Sequence, residues 1–391
     1  MALMLRNAKI FTGLMHKDEI LYDQAIFIEG EKISRLLHNS VPMPYYEKQK
    51  RYEEDEEHDL SGLNIAPGFI DLQVNGGGGR MFTSDPSIKS IERIVGAHSK
   101  RGTTNMLLSL ISPDNNTIAE AVKATKEYML NNGNSILGIH LEGPFITLEK
   151  KGIHPKENIR KMAEEDLRVI LDAKETIKMV TLSPESVEND QIRSLKDAGI
   201  VVSIGHSNAT YYKAFESFIF GISCATHLYN AMSGISAREP GVIGAVLDAK
   251  KDASIVVDGI HVSYPLVRMT KEMLRDRLFL VSDAMPVVGS SSRSFKIGDE
   301  EVIYDLGGCM TEEGVIGGSA ISMRDAVKGC KENVGIEAAE AIRMATSYPA
   351  RVLGENLRGT IKEGNIADLV VFDNSFNIKA IVLSGAYRAI S

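Results

Sequence analysis

The sequence predicts an α/β protein in which a (β/α)8 barrel of the TIM type lies beside a small β-sandwich domain made from both ends of the chain. From Phe69 onward, short apolar runs alternate with amphipathic stretches of helical period. Both ends of the chain consist instead of short β-like pieces separated by turns. Repeated βα units favour a closed barrel, although a doubly wound open sheet would have the same local pattern.

Eight apolar runs are the candidate barrel strands. They are Phe69–Val74, Asn105–Leu110, Ile136–Leu141, Lys178–Leu182, Val201–Ile204, Ser223–Thr226, Ser254–Val257 and Leu278–Val281. Helical periodicity between the runs predicts helices at Ser87–Arg101, Thr117–Asn131, Glu164–Lys174 and Glu188–Ala198.

Two domains are predicted from these patterns. Residues 1–66 and 359–391 would form a composite small β-domain, and residues 67–358 would form the barrel. The charge-dense stretch at 39–58 is expected to be an exposed connection or an extended hairpin. The Gly/Ser-rich stretch at 289–318 is expected to be an active-site loop or hairpin, and the four glycines at 76–79 a flexible loop at the barrel mouth.

Composition excludes several classes of function. Lys and Arg total 44 against 52 Asp and Glu, so the net charge of −8 offers no broad attraction to nucleic acid or anionic membranes. Three cysteines without C-x-x-C spacing argue against a disulfide framework and against a thiolate zinc site. Met1–Ile10 is interrupted by Arg6 and Lys9, and nowhere do 18 apolar residues run together. We therefore expect a cytoplasmic protein with no membrane span.

Polar residues at the ends of the barrel runs predict a metal site. Glu142, His206 and His227 follow three different runs, and the loops after the strands build the site in barrels of this kind. Two imidazoles and a carboxylate are standard zinc ligands that leave a fourth position open. A single strand-end histidine would more often be structural, but several such residues at successive strand ends favour a metal centre.

Asp283 follows the eighth run and is the candidate general base. A bound metal polarises a carbonyl and lowers the pKa of its water, but hydrolysis also needs a carboxylate that takes the proton and returns it to the leaving group. The alternative is that Asp283 only caps the following turn.

Five motifs carry a family resemblance. HLEGPF at 140–145, GHSNAT at 205–210, THLYNAM at 226–232, DGIH at 258–261 and SDAM at 282–285 resemble those of N-acetylglucosamine-6-phosphate deacetylases in the amidohydrolase superfamily. The resemblance spans nearly the whole chain, from APGFID at 66–71 to GNIADL at 364–369. It implies hydrolysis of N-acetylglucosamine 6-phosphate to acetate and glucosamine 6-phosphate, in amino-sugar catabolism and cell-wall sugar recycling.

The resemblance also implies roles for individual residues. It makes Glu142, His206 and His227 the ligands of a divalent metal, with zinc favoured over iron, manganese or cobalt, and it makes Asp283 the base and acid. It places His154 over the substrate carbonyl. The other substrate-binding residues that it implies are Ile153, the backbone of Asn230 and Ala231, Arg238 and His261 at the phosphate, and Ile316, Gly317 and Gly318 beside the sugar. Because Arg238 and His261 reach across an interface in relatives, a homodimer is implied.

The sequence departs from the wider superfamily after the first barrel run. Many members have His-x-His there, as ligands of a further metal, whereas this chain has Gln73-Val74-Asn75. Neutral amides are poor ligands beside imidazole, so the sequence favours one metal per subunit.

Two alternatives to this function remain open. Deacetylases of N-acetylgalactosamine 6-phosphate share these motifs, and the two sugars differ only in the configuration of one hydroxyl. A non-catalytic scaffold that keeps the barrel is the other alternative, and the presence of Glu142, His206, His227 and Asp283 argues against it.

Overall fold

A computed structural model describes residues 2–15, 19–40, 56–298, 300–305 and 307–390. Most of the charge-dense segment, residues 41–55, lies outside the described residues, so its predicted exposure stays a prediction. None of the helices in the described part of the chain combines the length and apolar character needed to cross a lipid bilayer.

Seven strands precede the barrel and contribute to two sheets. They are β1 (Ala2–Arg6), β2 (Lys9–Phe11), β3 (Ile20–Leu21), β4 (Gln24–Glu29), β5 (Lys32–His38), β6 (Glu56–Asp59) and β7 (Asn64–Pro67). Strands β5-β4-β1-β6 form a four-stranded sheet in that order. Burial of alternate apolar side chains such as Leu3 and Ile26 gives this sheet its core face.

The barrel begins at β8 (Phe69–Val74), which is followed by a hairpin of β9 (Gly76–Gly77) and β10 (Arg80–Met81). The other barrel strands are β11 (Thr103–Ile111), β12 (Ile136–Glu142), β13 (Ile177–Leu182), β14 (Val201–Ile204), β15 (Cys224–Ala225), β16 (Asp252–Ile255) and β17 (Leu278–Leu280). All eight barrel strands are parallel and lie side by side in chain order. The predicted α/β barrel is confirmed, and each predicted run overlaps one strand.

Closure of the barrel occurs just beyond β17. The Asp283 amide donates to the Gln73 carbonyl at 3.0 Å, and the Asn75 amide donates to the Ala284 carbonyl at 3.0 Å. The first strand is therefore joined to the segment after the last strand rather than to β17 itself. This pairing brings residues 73–75 and 283 together although they are more than 200 positions apart in the chain.

Ten α-helices alternate with or follow the strands in the described chain. They are α1 (Ile88–Ser99), α2 (Asn115–Asn132), α3 (Glu164–Asp172), α4 (Asn189–Asp197), α5 (Tyr211–Phe220), α6 (Gly241–Asp248), α7 (Tyr264–Leu274), α8 (Met323–Gly329), α9 (Ala338–Met344) and α10 (Ser347–Leu353). Side-chain caps explain several starts, since Ser87, Asp114 and Thr210 accept hydrogen bonds from the first turn of α1, α2 and α5. The four predicted helices are present, with ends shifted by at most two residues.

The Gly/Ser-rich stretch after the barrel forms an antiparallel sheet. Its strands are β18 (Ser294–Ile297), β19 (Glu300–Asp305), β20 (Gly308–Thr311) and β21 (Ile316–Ser319). A bridge between Ala284 and Ser319 attaches this sheet to the segment that closes the barrel. The glycines at 76–79 differ from the expected flexible loop. They form the tight β9–β10 hairpin, in which Gly78 and Gly79 both have positive φ.

The chain returns to its N-terminal part through β22 (Leu369–Phe372), β23 (Ile378–Leu383) and β24 (Ala386–Ala389). Strand β22 pairs antiparallel with β7, which completes a six-stranded sheet in the order β24-β23-β22-β7-β2-β3. Apolar side chains from both ends of the chain, including Ile10, Ile65 and Val371, share one buried cluster. The two termini thus form sheets together, as predicted; the exact domain boundaries stay a prediction.

Candidate active site

A pocket of about 410 Å³ lies at the carboxyl ends of the barrel strands. Its wall includes eleven of the thirteen residues singled out in the sequence. They are Glu142, Ile153, His154, His206, His227, Asn230, Ala231, His261, Asp283, Ile316 and Gly318. Because these residues come from five strand ends and from the β18–β21 sheet, only the closed barrel brings them together.

Glu142, His206 and His227 form a tight buried cluster in this pocket. The Glu142 Oε1 atom lies 2.9 Å from His227 Nε2 and 3.3 Å from His206 Nε2, and the two nitrogens are 3.1 Å apart. Ligands about 2.0–2.1 Å from a tetrahedral zinc ion would be separated by about 3.3 Å. Among the described residues, no other group of acidic, histidine or cysteine side chains has this spacing.

The tautomer of His206 also suits a metal ligand. Its Nδ1 lies 2.8 Å from the Lys150 carbonyl, which can only accept, so we assign the proton to Nδ1. A neutral ring then has a free lone pair on Nε2, the atom that faces Glu142 and His227. A second hydrogen bond of this kind is what typically orients a metal-bound histidine. The donor set therefore fits a divalent cation.

Backbone strain is concentrated around the pocket. Twelve described residues other than glycine have a positive φ, and six of them follow barrel strands on the pocket side: Ser112, His206, His227, Tyr229, Ala231 and Asp283. The left-handed region costs roughly 1–2 kcal/mol for each such residue. Strain of this kind clusters at sites where the surrounding fold holds a side chain in a required position.

Asp283 is buried beside the Glu142 cluster. Its Oδ1 accepts hydrogen bonds from Asn75 Nδ2 at 2.7 Å and from Gln73 Nε2 at 3.1 Å. Burial, together with the charge of Glu142, raises the pKa of Asp283 to about 6. Burial would also raise the pKa of Glu142, but the neighbouring His206 and His227 imidazoles hold that pKa well below its ordinary value.

His154 lies next to the cluster, with its ring centroid 4.3 Å from that of His206. Burial, followed by the neighbouring His206, lowers the pKa of His154 well below its ordinary value, so the ring is neutral near pH 7. Its Nδ1 is hydrogen-bonded to Ser112 Oγ at 2.7 Å. A neutral, oriented imidazole can take part in hydrogen bonding without adding charge.

Asp258 orients the His261 ring through a contact with its Nδ1 atom. The Asp258 Oδ2 atom is 2.6 Å from His261 Nδ1, and Oδ1 accepts the backbone N–H groups of Ile260 and His261 at 2.8 Å each. Burial acts to raise the pKa of Asp258, but the His261 hydrogen bond and charge lower it overall. An ionised Asp258 accepts from Nδ1, which leaves Nε2 of His261 available to a ligand.

Two predicted residues are not part of the pocket wall. Gly317 is buried between Ile316 and Gly318, which do line the pocket. Arg238 is exposed on the loop before α6, and no ion pair or hydrogen bond joins it to another described residue. The pocket of a single chain therefore does not include Arg238.

Other wall residues were not predicted from the sequence. Glu149 and Lys150 lie in a short 3-10 turn (Leu148–Lys150) above the cluster, and Met285 and Ile111 contribute apolar surface. Ile111 directly follows the second predicted run and Met285 ends the SDAM motif, but neither side chain is polar. Glu149 and Lys150 stand at no run end, and only their proximity in sequence to His154 could have suggested them.

Comparisons with known proteins identify relatives over nearly the whole chain. A model described as the amidohydrolase family matches residues 64–387. The chain is 37% identical over 388 residues to the N-acetylglucosamine-6-phosphate deacetylase of Haemophilus influenzae, covering 98% of both chains. It is 35% identical over 332 residues, 83% of both chains, to the N-acetylgalactosamine-6-phosphate deacetylase of Shewanella sp. (strain ANA-3).

A solved structure extends the comparison to the whole fold. The crystal structure of N-acetylglucosamine-6-phosphate deacetylase from Pasteurella multocida superposes with a TM-score of 0.94 and 38% identity, and the match covers 100% of both chains. The match to the family model spans all eight barrel strands and strands β7, β22 and β23 of the six-stranded sheet. The chain belongs to the amidohydrolase family.

Proposed function

We propose that this chain removes the N-acetyl group of N-acetylglucosamine 6-phosphate by hydrolysis, which yields acetate and glucosamine 6-phosphate in amino-sugar metabolism. The observation that carries the proposal is the buried Glu142-His206-His227 cluster, with Asp283 beside it, at the mouth of an amidohydrolase barrel. The full-length relative in Haemophilus influenzae has that activity in its name.

We propose one divalent cation per subunit, held by Glu142, His206 and His227. Zinc is favoured over iron, manganese or cobalt because two imidazoles and one carboxylate leave a tetrahedral position open. When bound, the cation would polarise the amide carbonyl and lower the pKa of a water molecule. Gln73 and Asn75 support a single cation, since their amide nitrogens point to the carboxylates.

Asp283 moves the proton in this proposal. Its raised pKa, about 6, suits a carboxylate that takes a proton from the attacking water and returns it to the departing nitrogen. His154 would hydrogen-bond the substrate carbonyl through Nε2, since Ser112 occupies Nδ1. Ile153, Ile316 and the Gly317-Gly318 turn would contact the sugar.

The phosphate would be bound by His261, by the backbone of Asn230 and Ala231, and by Arg238 from a second copy of the chain. His261, Asn230 and Ala231 line the pocket, whereas Arg238 is exposed away from it. Large apolar side chains are exposed on α5 and on the loop before α6 that carries Arg238: Tyr212 is 82%, Ile219 75% and Ile235 60% exposed. Such a face supports a homodimer.

The location proposed for the protein is the cytoplasm. Cys224, Cys309 and Cys330 are all buried and free, as expected of a chain that folds without disulfides.

The test is acetate release from three sugars: N-acetylglucosamine 6-phosphate, its galactosamine epimer and unphosphorylated N-acetylglucosamine. We expect the highest kcat/KM for the first and the lowest for the third. Hydrolysis of the galactosamine epimer with the higher kcat/KM would instead support the second candidate, which the 35% identical Shewanella relative favours. Absence of acetate from all three sugars with metal-loaded protein would contradict the proposed chemistry.

A further inference from the structure

Gln73 and Asn75 stand where β8 ends, and both side chains are completely or almost completely buried. Their amide nitrogens make three hydrogen bonds to the two site carboxylates. Asn75 Nδ2 donates to Asp283 Oδ1 at 2.7 Å, Gln73 Nε2 donates to the same oxygen at 3.1 Å, and Gln73 Nε2 also donates to Glu142 Oε1 at 2.9 Å. Asn75 thus contacts one carboxylate, while Gln73 bridges both.

The orientation of these amides follows from the carboxylates. An ionised carboxylate only accepts, so the nitrogen of each amide must face it. The amide oxygens Gln73 Oε1 and Asn75 Oδ1 are buried and have no hydrogen-bond partner within the described chain. Leaving two buried acceptors unpaired is unfavourable, and the three N–H contacts offset this cost.

The main chain of the same segment fixes Asp283 as well. The Asp283 N–H donates to the Gln73 carbonyl, and the Asn75 N–H donates to the Ala284 carbonyl. Both hydrogen bonds on the Asp283 carboxylate converge on Oδ1, and no hydrogen bond from the described residues reaches Oδ2. The segment 73–75 therefore helps to hold the backbone of Asp283 and supplies both hydrogen bonds to its carboxylate.

We propose that Gln73 and Asn75 are positioning residues that hold Oδ1 of Asp283 and leave Oδ2 as the oxygen that exchanges protons. This inference rests on the proposed function of Asp283. It assigns the two residues different effects: Asn75 acts on Asp283 alone, whereas Gln73 also supports the metal ligand Glu142. Loss of a supporting hydrogen bond behind a site residue typically costs about 10- to 100-fold in activity or metal affinity.

The experiment compares Asn75→Leu and Gln73→Met, which keep similar volumes but remove the N–H donors. For Asn75→Leu we expect kcat to fall about 10- to 100-fold, with KM and bound metal per chain unchanged. For Gln73→Met we expect a similar fall in kcat and, in addition, a weaker affinity for the metal, measured by competition with a chelator. Thermal unfolding is followed for every variant.

The matched control is Asn105→Leu, at the other end of the barrel. Asn105 is a buried amide whose Nδ2 donates to the Asn134 carbonyl at 2.8 Å and to Asp368 Oδ2 at 3.2 Å. Its loss should lower the unfolding temperature and leave kcat and metal content unchanged. A general effect of removing a buried amide would appear in this variant too.

A double-mutant cycle with Asp283→Asn separates positioning from structure. If Asn75 acts through the Asp283 carboxylate, Asn75→Leu should change the residual rate of Asp283→Asn less than about twofold. The affinity for glucosamine 6-phosphate, measured by calorimetry, should be the same in Asp283→Asn with and without Asn75→Leu.

Three results would overturn the inference: an unchanged kcat in Asn75→Leu, an equal loss in both Asp283 backgrounds, or an equal loss of kcat in Asn105→Leu. Should Asn75→Leu fail to fold, Asn75→Ala replaces it in the same cycle, and Gln73→Met still tests the predicted loss of metal affinity. Near wild-type turnover of Asp283→Asn alone would instead contradict the proposed function of Asp283.

Discussion

Asp283 and Glu142 are two buried carboxylates that share one amide donor, and the fold moves their pKa values in opposite directions. Burial and the charge of Glu142 raise the pKa of Asp283 to about 6. Two imidazoles more than offset the effect of burial on Glu142 and keep its pKa low. When the pKa values of two neighbouring groups differ in this way, the group with the low pKa is usually the permanent anion and the group with the raised pKa exchanges protons.

Asp283→Asn should therefore retain the metal and the fold but lose turnover. An amide is isosteric with the carboxylate but cannot accept and return a proton, so we expect kcat to fall about 10²- to 10⁴-fold. Metal per chain and the unfolding temperature serve as controls and should match those of the wild type. Turnover near the wild-type rate would mean that another group is the base.

Sequence reasoning was most effective at residues that follow a strand. Glu142, His206, His227 and Asp283 were all singled out because barrel sites form at strand ends, and the structure brings them together. Ser112, Lys150 and Asp258 orient His154, His206 and His261, and no pattern in the sequence predicts this role for them. Contacts of that kind depend on how the loops fold over the pocket. The hydrophobic periodicity of the sequence carries no information about loop conformation.

At the scale of elements, the β18–β21 sheet packs against the segment that carries Asp283. Gly318 has a φ of +75°, and a side chain there would overlap Met285 and lie 3.1 Å from the Asp283 carbonyl oxygen. Gly318→Ala should therefore lower kcat/KM about tenfold or more by displacing the pocket wall. Steady-state kinetics with N-acetylglucosamine 6-phosphate measure this effect.

Gly335→Ala is the control for backbone strain. Gly335 has a φ of +85° but no atom within 4 Å of the added Cβ. Both variants should lose about 1–2 kcal/mol of stability from the positive φ, but Gly335→Ala should keep its kcat/KM. Equal activity in the two variants would contradict the role given to Gly318.

A second element-scale feature is the ion-pair network between α7, α9 and α10. Glu340 contacts Lys271, Arg343 and Tyr348, and Arg343 reaches Glu19 at 2.8 Å. Burial acts to raise the pKa of Glu340, but the Lys271 hydrogen bond and the charges of Lys271 and Arg343 lower it overall. Glu340→Gln leaves Lys271 without its anion and Arg343 with Glu19 alone, and it should cost about 3 kcal/mol at pH 7.

The pH dependence of that loss follows from the lowered pKa. A carboxylate with a depressed folded pKa stabilises the fold above its unfolded pKa, near 4.5, and this stabilisation is lost as pH falls through the folded pKa. The difference in unfolding free energy between wild type and Glu340→Gln should therefore shrink below about pH 4.5. Glu165→Gln, at an exposed pair with Arg168, should change stability by less than about 0.5 kcal/mol at any pH. A constant difference for Glu340→Gln would contradict the assignment.

Elements with a clear period were predicted well, and irregular ones were not. Each barrel run overlaps a strand because continuous burial of parallel strands leaves a nearly unbroken apolar stretch. Strand β15 covers only Cys224–Ala225 of the predicted run Ser223–Thr226. The glycines at 76–79 belong to a hairpin where the sequence predicts a flexible loop. Strand length and hairpin pairing there depend on neighbours that are distant in the sequence.

For the whole molecule, the proposed homodimer predicts that a complete active site needs residues from two chains. Arg238→Ala should weaken binding of phosphorylated substrate while Asp283→Asn removes the base. If Arg238 acts in the partner's site, mixing the two variants creates heterodimers with one complete site. Random exchange should then restore about a quarter of the wild-type activity. Absence of rescue, despite exchange demonstrated by mass labelling, would contradict the shared site.

The exposed apolar face gives a second test of the assembly. Tyr212→Glu and Ile235→Asp place charges on that face without touching the pocket. We expect monomers by light scattering, with normal metal content and a raised KM for the phosphorylated sugar. Leu130→Glu, at an equally exposed apolar residue on α2, is the control and should leave the assembly intact. Dimers that persist in both Tyr212→Glu and Ile235→Asp would mean that the interface lies on another surface.

The strand-end cluster is proposed to bind a divalent cation and to use it in the hydrolysis of an N-acetylated sugar phosphate. Acetate release and metal per chain, measured on the same preparations of wild type and His206→Ala, test both parts of this proposal together. We expect about one cation per chain and acetate release in wild type, and the loss of both in His206→Ala. Wild-type rates of acetate release from His206→Ala without bound metal would contradict it.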